Sequence, residues 1–355
     1  MKKYICVCCI LFLFVSCLAD EPFKLNYTGF EPIQNYDDWI ISTPQEEEIN
    51  TELLNKAYQL VYEDERFKMA KSLLVFRNGK LVAEAYPNDK NDINKLANIQ
   101  SCTKSVTSIL TGIAIQDSLI DSIDEKLYAI YPTYFDEDTD KRDITISDAL
   151  TMRTGLEFDN SKHTLDLYRT SKNSIKHVLS FKKEYPAGLV MNYNDGAPQL
   201  ISKVIETKSN KNLEQYAAEK LFSKLNITKW KWEKAKDGTT FGAFSLFLKP
   251  RDLGKLGQLL LQNGKWNTKQ LIDSTYLKNA TTTQVSANSH NEPYGYYFWI
   301  LPAWNAYYAD GHGGQFVLVV PNKNLVIVYT AWGYTNQIFW DKSNELMTLL
   351  ISSCN

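Results

Sequence analysis

The sequence predicts an α/β protein: an antiparallel sheet assembled from both ends of the chain and flanked by helices, plus a helical subdomain. Three observations carry this. Apolar runs of strand length lie before about residue 86 and again after about residue 294. The stretch between, to about Trp232, is helical and loop-rich. Asn78-Gly79 sits between two of the early runs, where a two-residue turn needs positive φ at both positions, so it closes a hairpin.

In chain order, Glu46 to Glu65 reads as a helix. Ile49, Leu53, Leu54, Ala57, Tyr58 and Val61 recur at helical spacing behind an acidic first turn. Leu73 to Phe76 and Leu81 to Tyr86 are the hairpin strands. A second helix begins near Ser101 and runs through Ile109, Ile113 and Ile115. Ser147 to Met152, Ile201 to Thr207 and Leu213 to Leu225 are helix candidates, with turns at Pro186, Gly188 and Pro198. Tyr294 to Ile300, Gln315 to Val320 and Leu325 to Thr330 read as strands, and Ile338 to Ile351 as a closing helix. Residues 46–355 are expected to form one domain, its α/β part at about 46–115 and 236–355 and its helical subdomain at about 116–235.

Charge excludes one class of partner. Asp plus Glu number 41 against 39 Lys plus Arg, with no long run of like charge, so the basic footprint of a nucleic-acid binder is missing. Four of the six cysteines (Cys6, Cys8, Cys9, Cys17) lie in the first seventeen residues, which leaves Cys102 and Cys354 and excludes a disulfide scaffold. Those first residues read as an export leader. Lys2-Lys3 precede an apolar run from Tyr4 to Val15. Twelve residues at a rise of about 1.5 Å span roughly 18 Å, too short for a hydrocarbon core of about 30 Å. Phe14-Val15-Ser16-Cys17 resembles a bacterial lipobox, with Phe14 where Leu is usual; this makes 1–16 a signal peptide, Cys17 the lipidated residue and 17–45 a polar tether with Pro22, Pro32 and Pro44. Cleavage after Ala19 is the competing reading. Either predicts an exported bacterial envelope protein; the lipobox reading adds a periplasmic or outer-membrane-attached lipoprotein that touches membrane only through its lipid anchor.

The chemistry begins at Ser101-Cys102-Thr103-Lys104. Residues three apart on a helix share a face, so Lys104 can reach the Ser101 hydroxyl, a weak nucleophile that needs a base beside it. The motif is not unique, since Ser180 to Lys183 repeats it in a solvated stretch. Ser101, however, opens an apolar helix whose N-terminal amides can stabilise a developing oxyanion. A second element is Pro186 to Asp195, containing Tyr193-Asn194-Asp195. A third, Gly311-His312-Gly313-Gly314-Gln315, sets three of sixteen glycines beside one of four histidines at the mouth of an apolar strand. Alone it reads as a tight turn, and glycine there would also let a ligand approach the backbone.

These elements, in this order, resemble the serine β-lactamase-related hydrolases: the class C β-lactamase, penicillin-binding protein and esterase group that includes 6-aminohexanoate-dimer hydrolases. Leu150 to Leu156 and Lys249 to Leu260 extend the likeness over most of the mature chain. The resemblance implies a β-lactamase/transpeptidase-like fold, with Ser101 as acylated nucleophile, Lys104 as its base and Tyr193 as acid/base near the leaving atom. It places His312 where penicillin-recognising members carry the lysine of Lys-Thr-Gly, and it forms the oxyanion hole from the backbone N–H groups of Ser101 and Gln315. Asp195, Gly313 and Gly314 fall at substrate-binding positions. No metal or other cofactor is implied, and the substrate is a small-molecule or peptide-like ester or amide.

Two departures shape the expected activity. Asp195 stands where the family has Asn; ionised, it has no N–H to offer a substrate, and it favours protonated Lys104, which shifts base work toward Tyr193. His312 replaces a permanent cation, which weakens attraction for a β-lactam carboxylate. An esterase or amidase is therefore expected over an efficient β-lactamase, with a true β-lactamase or DD-peptidase and a non-catalytic envelope binding protein as the alternatives. An α/β-hydrolase is disfavoured: His312-Gly313-Gly314 mimics its oxyanion loop, but the chain has no Gly-x-Ser-x-Gly elbow. Cys102 reads as a packing residue. His163, His177 and His290 lack partners at ligand spacing, and Trp299, Trp304, Trp332 and Tyr294, Tyr296 and Tyr297 read first as core and sheet residues.

Overall fold

The computed structural model describes residues 25–34, 37–135, 139–169, 172–287, 292–333 and 337–354. The leader, Cys17 and His290 lie outside them. The chain opens with α1 (Thr51–Glu63), capped by the Asn50 side chain, which accepts from Leu53 N–H. The hairpin β1 (Ala70–Arg77) and β2 (Lys80–Ala85) turns through Asn78 and Gly79 at φ 52° and 78°. Then come β3 (Ala97–Asn98), α2 (Cys102–Gln116), α3 (Leu127–Ile130), α4 (Ile146–Leu150), α5 (Asn160–Arg169), α6 (Ser174–Leu179), α7 (Gly196–Ser209) and α8 (Leu213–Ala217). The return to sheet begins with β4 (Lys231–Trp232) and β5 (Leu246–Leu248), followed by α9 (Pro250–Leu261), β6 (Lys265–Trp266), β7 (Lys269–Gln270) and α10 (Ser274–Ala280). The end is β8 (Val285–Ala287), β9 (Glu292–Tyr294), β10 (Trp299–Leu301), β11 (Ala306–Gly311), β12 (Gln315–Val320), β13 (Leu325–Ala331) and α11 (Gln337–Ser352).

The main sheet is antiparallel, ordered β2-β1-β13-β12-β11-β10-β9-β8, so the N-terminal hairpin pairs with the last strand of the chain. Its central strands are mostly apolar and buried along nearly their whole length because both faces are covered. Leu74, Phe76, Val317, Val326 and Val328 join the core shared with α2, α7 and α9, while Leu73, Val75, Phe316, Leu318, Ile327 and Tyr329 join a second core with α1 and α11. Each fully buried Leu, Ile, Val or Phe contributes about 1.5–3 kcal/mol. Helix α9 lies close on the sheet because Gly254 and Gly257 face it; a Cβ on Gly257 would come within 2.4 Å of Val326.

Helix α2 is buried from Cys102 to Ala114. Its polar side chains find partners inside: Ser105 donates to Tyr297 O (2.6 Å), Thr107 to Gly242 O (2.7 Å), and Ser108 meets the Tyr276 hydroxyl (2.9 Å). The helix is thereby held rigidly, with Ser101 at its entrance.

Two expectations need correction. The segment read as a tether is, over its described part, laid against the domain. Ser42 N–H donates to Leu81 O (3.1 Å), Trp39 Nε1 to Arg251 O (3.1 Å), and buried Arg251 pairs with Glu84 (2.6 Å) and Asp37 (2.9 Å). Isolated polar spacing cannot reveal partners two hundred residues away. Second, the strand expected over Tyr294 to Ile300 is two strands, β9 and β10, joined by a tight turn in which Gly295 N–H donates to Phe298 O (2.8 Å) and Tyr297 takes φ 65°. Gly295 has no room for a side chain, since a Cβ would lie 2.0 Å from Ala280 O.

Candidate active site

A cleft of about 810 Å³ lies at the N-terminal end of α2, lined on its working face by Ser101, Tyr193, Asp195, Trp299, Asp310 and His312. Lys104, one turn into α2, is buried, and its ammonium is fully engaged: it donates to Ser101 Oγ (2.9 Å), Asp195 Oδ1 (2.7 Å) and Ala243 O (3.3 Å). Three donors on three acceptors is the protonated form of a lysine. Burial alone would lower its pKa; the Asp195 carboxylate at contact and the neighbouring Tyr193 reverse that, and the net direction is upward.

Asp195 stands at the start of α7 and is fixed on three sides. Its N–H donates to Asn160 Oδ1 (2.8 Å), its Oδ2 accepts from Thr164 Oγ1 (2.6 Å), and its Oδ1 holds Lys104. Asn160 and Thr164 belong to α5, so the helical part of the chain locks the pair in place. Tyr193 lies between Trp299 and Tyr294, at ring separations of 5.6 and 6.1 Å, with Lys104 Nζ 4.9 Å from its ring centre. Burial raises its pKa, opposed by the Lys104 charge and by a hydrogen bond from Ser101.

The third element folds as a turn between β11 and β12, with Gly313 and Gly314 both at φ 88°. A Cβ on Gly313 would meet Trp332 O at 2.6 Å, and one on Gly311 would meet Ile99 O at 2.5 Å, so the turn abuts the backbone just before Ser101. His312 is exposed at the cleft rim; Gly313 and Gly314 are buried in the turn and do not line the cleft. Gln315 begins β12 beside α2: Cys102 Sγ donates to its carbonyl (3.5 Å), and its amide bridges to both backbone groups of Ala331 (2.9 Å each). Gln315, expected to supply an oxyanion-hole amide with Ser101, thus lies against the residue that follows Ser101. Cys102 is a buried packing residue whose thiol burial holds well above its usual range.

Other sequence candidates fall elsewhere. Lys183 of the second Ser-x-x-Lys pairs with Asp143, away from the cleft. His163 and His177 pack on Phe181, at ring separations of 4.2 and 5.2 Å. Among the described residues no cluster of His, Cys, Asp or Glu could hold a metal ion. Trp299 lines the cleft, whereas Tyr294 and Tyr297 are core residues. Sequence reasoning missed Asn160 and Thr164, which carry no motif. It also missed Asp310, whose one signal was a lone charge ending the apolar run Ala306-Tyr307-Tyr308-Ala309.

The arrangement can move a proton without a free base. As Ser101 Oγ bonds to a carbonyl carbon, its proton can pass to Tyr193 Oη while Tyr193 hands its own to the leaving atom, with Lys104 held cationic beside both. A serine, a buried lysine and a tyrosine meeting at a helix entrance beside an antiparallel sheet define a serine-hydrolase class of site. The chain belongs to the beta-lactamase family, whose model matches residues 68–346. Solved structures agree in fold. A putative 6-aminohexanoate-dimer hydrolase from Bacillus anthracis superposes with TM-score 0.73 at 18% identity, covering 93% of this chain and 91% of its own. A family VIII carboxylesterase gives 0.68 at 15% identity, covering 85% and 96%. A class C beta-lactamase gives 0.66 at 15% identity, covering 86% and 97%. No curated protein matches the chain.

Proposed function

We propose that this protein is an exported serine hydrolase that cleaves a small-molecule or peptide-like ester or amide through an acyl-enzyme on Ser101. The observation that carries the reading is Lys104, buried and bonded at once to Ser101 Oγ and to Asp195 at the foot of the cleft. Ser101 Oγ attacks the carbonyl, the Tyr193 relay delivers the proton to the leaving alkoxide or amine, and the backbone N–H groups of Ser101 and Gln315 hold the oxyanion. Each such donor is worth about 3–4 kcal/mol of barrier. Water then attacks the acyl carbon, giving its proton to Tyr193 as Tyr193 hands its own to Ser101 Oγ, and the bond between Ser101 Oγ and the acyl group breaks to release the acid.

Esterase or amidase action is favoured over efficient β-lactamase action because among the described residues no Lys or Arg lines the cleft to hold a β-lactam carboxylate, and His312 occupies the rim. Hydrolysis of a panel of aryl esters and anilides, compared with nitrocefin, tests this: the expected result is ester or anilide turnover that disappears in Ser101→Ala, with little nitrocefin hydrolysis. Rapid nitrocefin turnover, abolished by the same substitution, would reverse the preference. Export and anchoring at Cys17 are part of the proposal, supported by the leader and lipobox-like sequence. Incorporation of labelled palmitate tests the anchor, and its absence from an exported protein would leave export alone standing.

A further inference from the structure

Among the described residues the cleft is lined by three carboxylates and, apart from the His312 ring at its rim, by no cationic side chain. Two of the three are committed. Asp195 is bonded to Lys104 and Thr164, while Glu233 accepts from Lys231 (2.6 Å) and the Tyr168 hydroxyl (2.9 Å). Asp310 is different. It sits near the end of β11, half-buried in the cleft wall, next to Gly311, whose α-carbon packs against Ile99 and Gln100 immediately before the nucleophile. The contact that steadies its carboxylate is the neighbouring Gly311 N–H. A carboxylate has about four acceptor positions, so one backbone N–H leaves Asp310, as a cleft-lining residue, with capacity to bind a ligand. Asp195 is paired with Lys104 and Glu233 with Lys231, which leaves Asp310 as the lining carboxylate without an ion pair among the described residues.

We propose that Asp310 is a specificity-determining residue that selects esters or amides bearing a cationic ammonium group on the acyl chain and disfavours those bearing a carboxylate. The inference rests on Ser101 being the acylated residue and adds the substrate class. Burial pushes the Asp310 carboxyl up to about 7, against the opposing pull of the Gly311 N–H and the Lys104 charge. The other titratable groups around it are Cys102, Tyr193, Tyr294, Tyr308 and Glu292, with the His312 ring two residues further along the chain at the cleft rim. A bound cation stabilises the ionised form, so selectivity for cations should grow as pH rises through about 7.

The test uses the purified full chain and matched p-nitrophenyl esters whose acyl chains end in trimethylammonium, in its neutral tert-butyl isostere, or in carboxylate. Neither the trimethylammonium nor the tert-butyl group titrates, so a pH-dependent ratio between those two reports the protein. The expected result is a cation-to-neutral ratio of kcat/KM that rises roughly five- to tenfold between about pH 5.5 and 8.5, with the carboxylate ester poorest. In Asp310→Asn the ratio should become flat. A flat ratio in the wild-type protein, a ratio unchanged in Asp310→Asn, or preference for the carboxylate ester would overturn the proposal. Because the wild-type profile decides by itself, a poorly folding variant does not rescue it. Fluorophosphonate labelling of Ser101 run in parallel separates the two levels: labelling and turnover without charge selectivity overturn the Asp310 assignment alone, whereas no adduct and no turnover overturn the hydrolase reading with it.

Discussion

Replacing Asp195 with Asn tests the electrostatic logic of the site. The substitution keeps the shape and the Lys104 contact but removes the charge that sits 2.7 Å from the ammonium. At that distance the Coulomb attraction is about 6 kcal/mol at an effective dielectric near 20. Much of it offsets the desolvation of a fully buried lysine, so only the remainder is felt as an upward shift of the Lys104 pKa. The sign follows from the two opposing causes. Asp195 and Tyr193 raise the Lys104 pKa above 10.5, whereas burial lowers it; removing Asp195 leaves burial dominant and the pKa falls. If the cationic lysine supports a Tyr193 relay, kcat/KM in the wild-type protein should hold to alkaline pH, and the alkaline limb in Asp195→Asn should move to lower pH. The assay is the pH profile of kcat/KM on an ester substrate, corrected for spontaneous hydrolysis. An unchanged limb would mean that Asp195 does not set the charge of Lys104. A variant that instead gains activity at neutral pH would show that neutral Lys104 is the base, and the relay would be wrong.

Three further outcomes follow from particular contacts. Tyr193→Phe removes the relay hydroxyl while keeping the ring between Trp299 and Tyr294, so kcat should drop about 10²–10⁴-fold with KM little changed. Arg251→Ala strands the buried Glu84 carboxylate and frees Asp37, which should lower stability by about 3–5 kcal/mol in urea unfolding and loosen the N-terminal segment to proteolysis. Gly257→Ala drives a methyl to within 2.4 Å of Val326 and should cost about 1–3 kcal/mol by the same measurement, with the site chemistry intact in whatever folds.

What the sequence made legible was set by local chemistry. The Asn78-Gly79 turn could be read because few residues accept its backbone angles, and α2 because an apolar run follows Ser101. Lys104 could be placed beside Ser101 from helix geometry alone, and the consequence of Asp195 for the lysine charge followed from its acceptor-only carboxylate. The break at Gly295 to Phe298 was hidden because alternation of aromatic residues looks the same on one strand as on two. The N-terminal segment looked like a tether because its partners, Leu81, Glu84 and Arg251, are distant in sequence, and an ion pair across such a span leaves no local pattern. Asn160 and Thr164 were invisible for the same reason: they act through Asp195, and neither residue type nor spacing announces a support. Asp310 was in view as a charge ending an apolar strand, but only the fold shows that this end meets the backbone before Ser101.

The central claim is that Ser101 is the acylated nucleophile, and intact-mass analysis with peptide mapping after fluorophosphonate treatment tests it most directly. The expected result is a single adduct on the peptide carrying Ser101, absent from a folded Ser101→Ala protein. An adduct on any other residue, or none in protein whose fold is verified by near-ultraviolet circular dichroism, would contradict it.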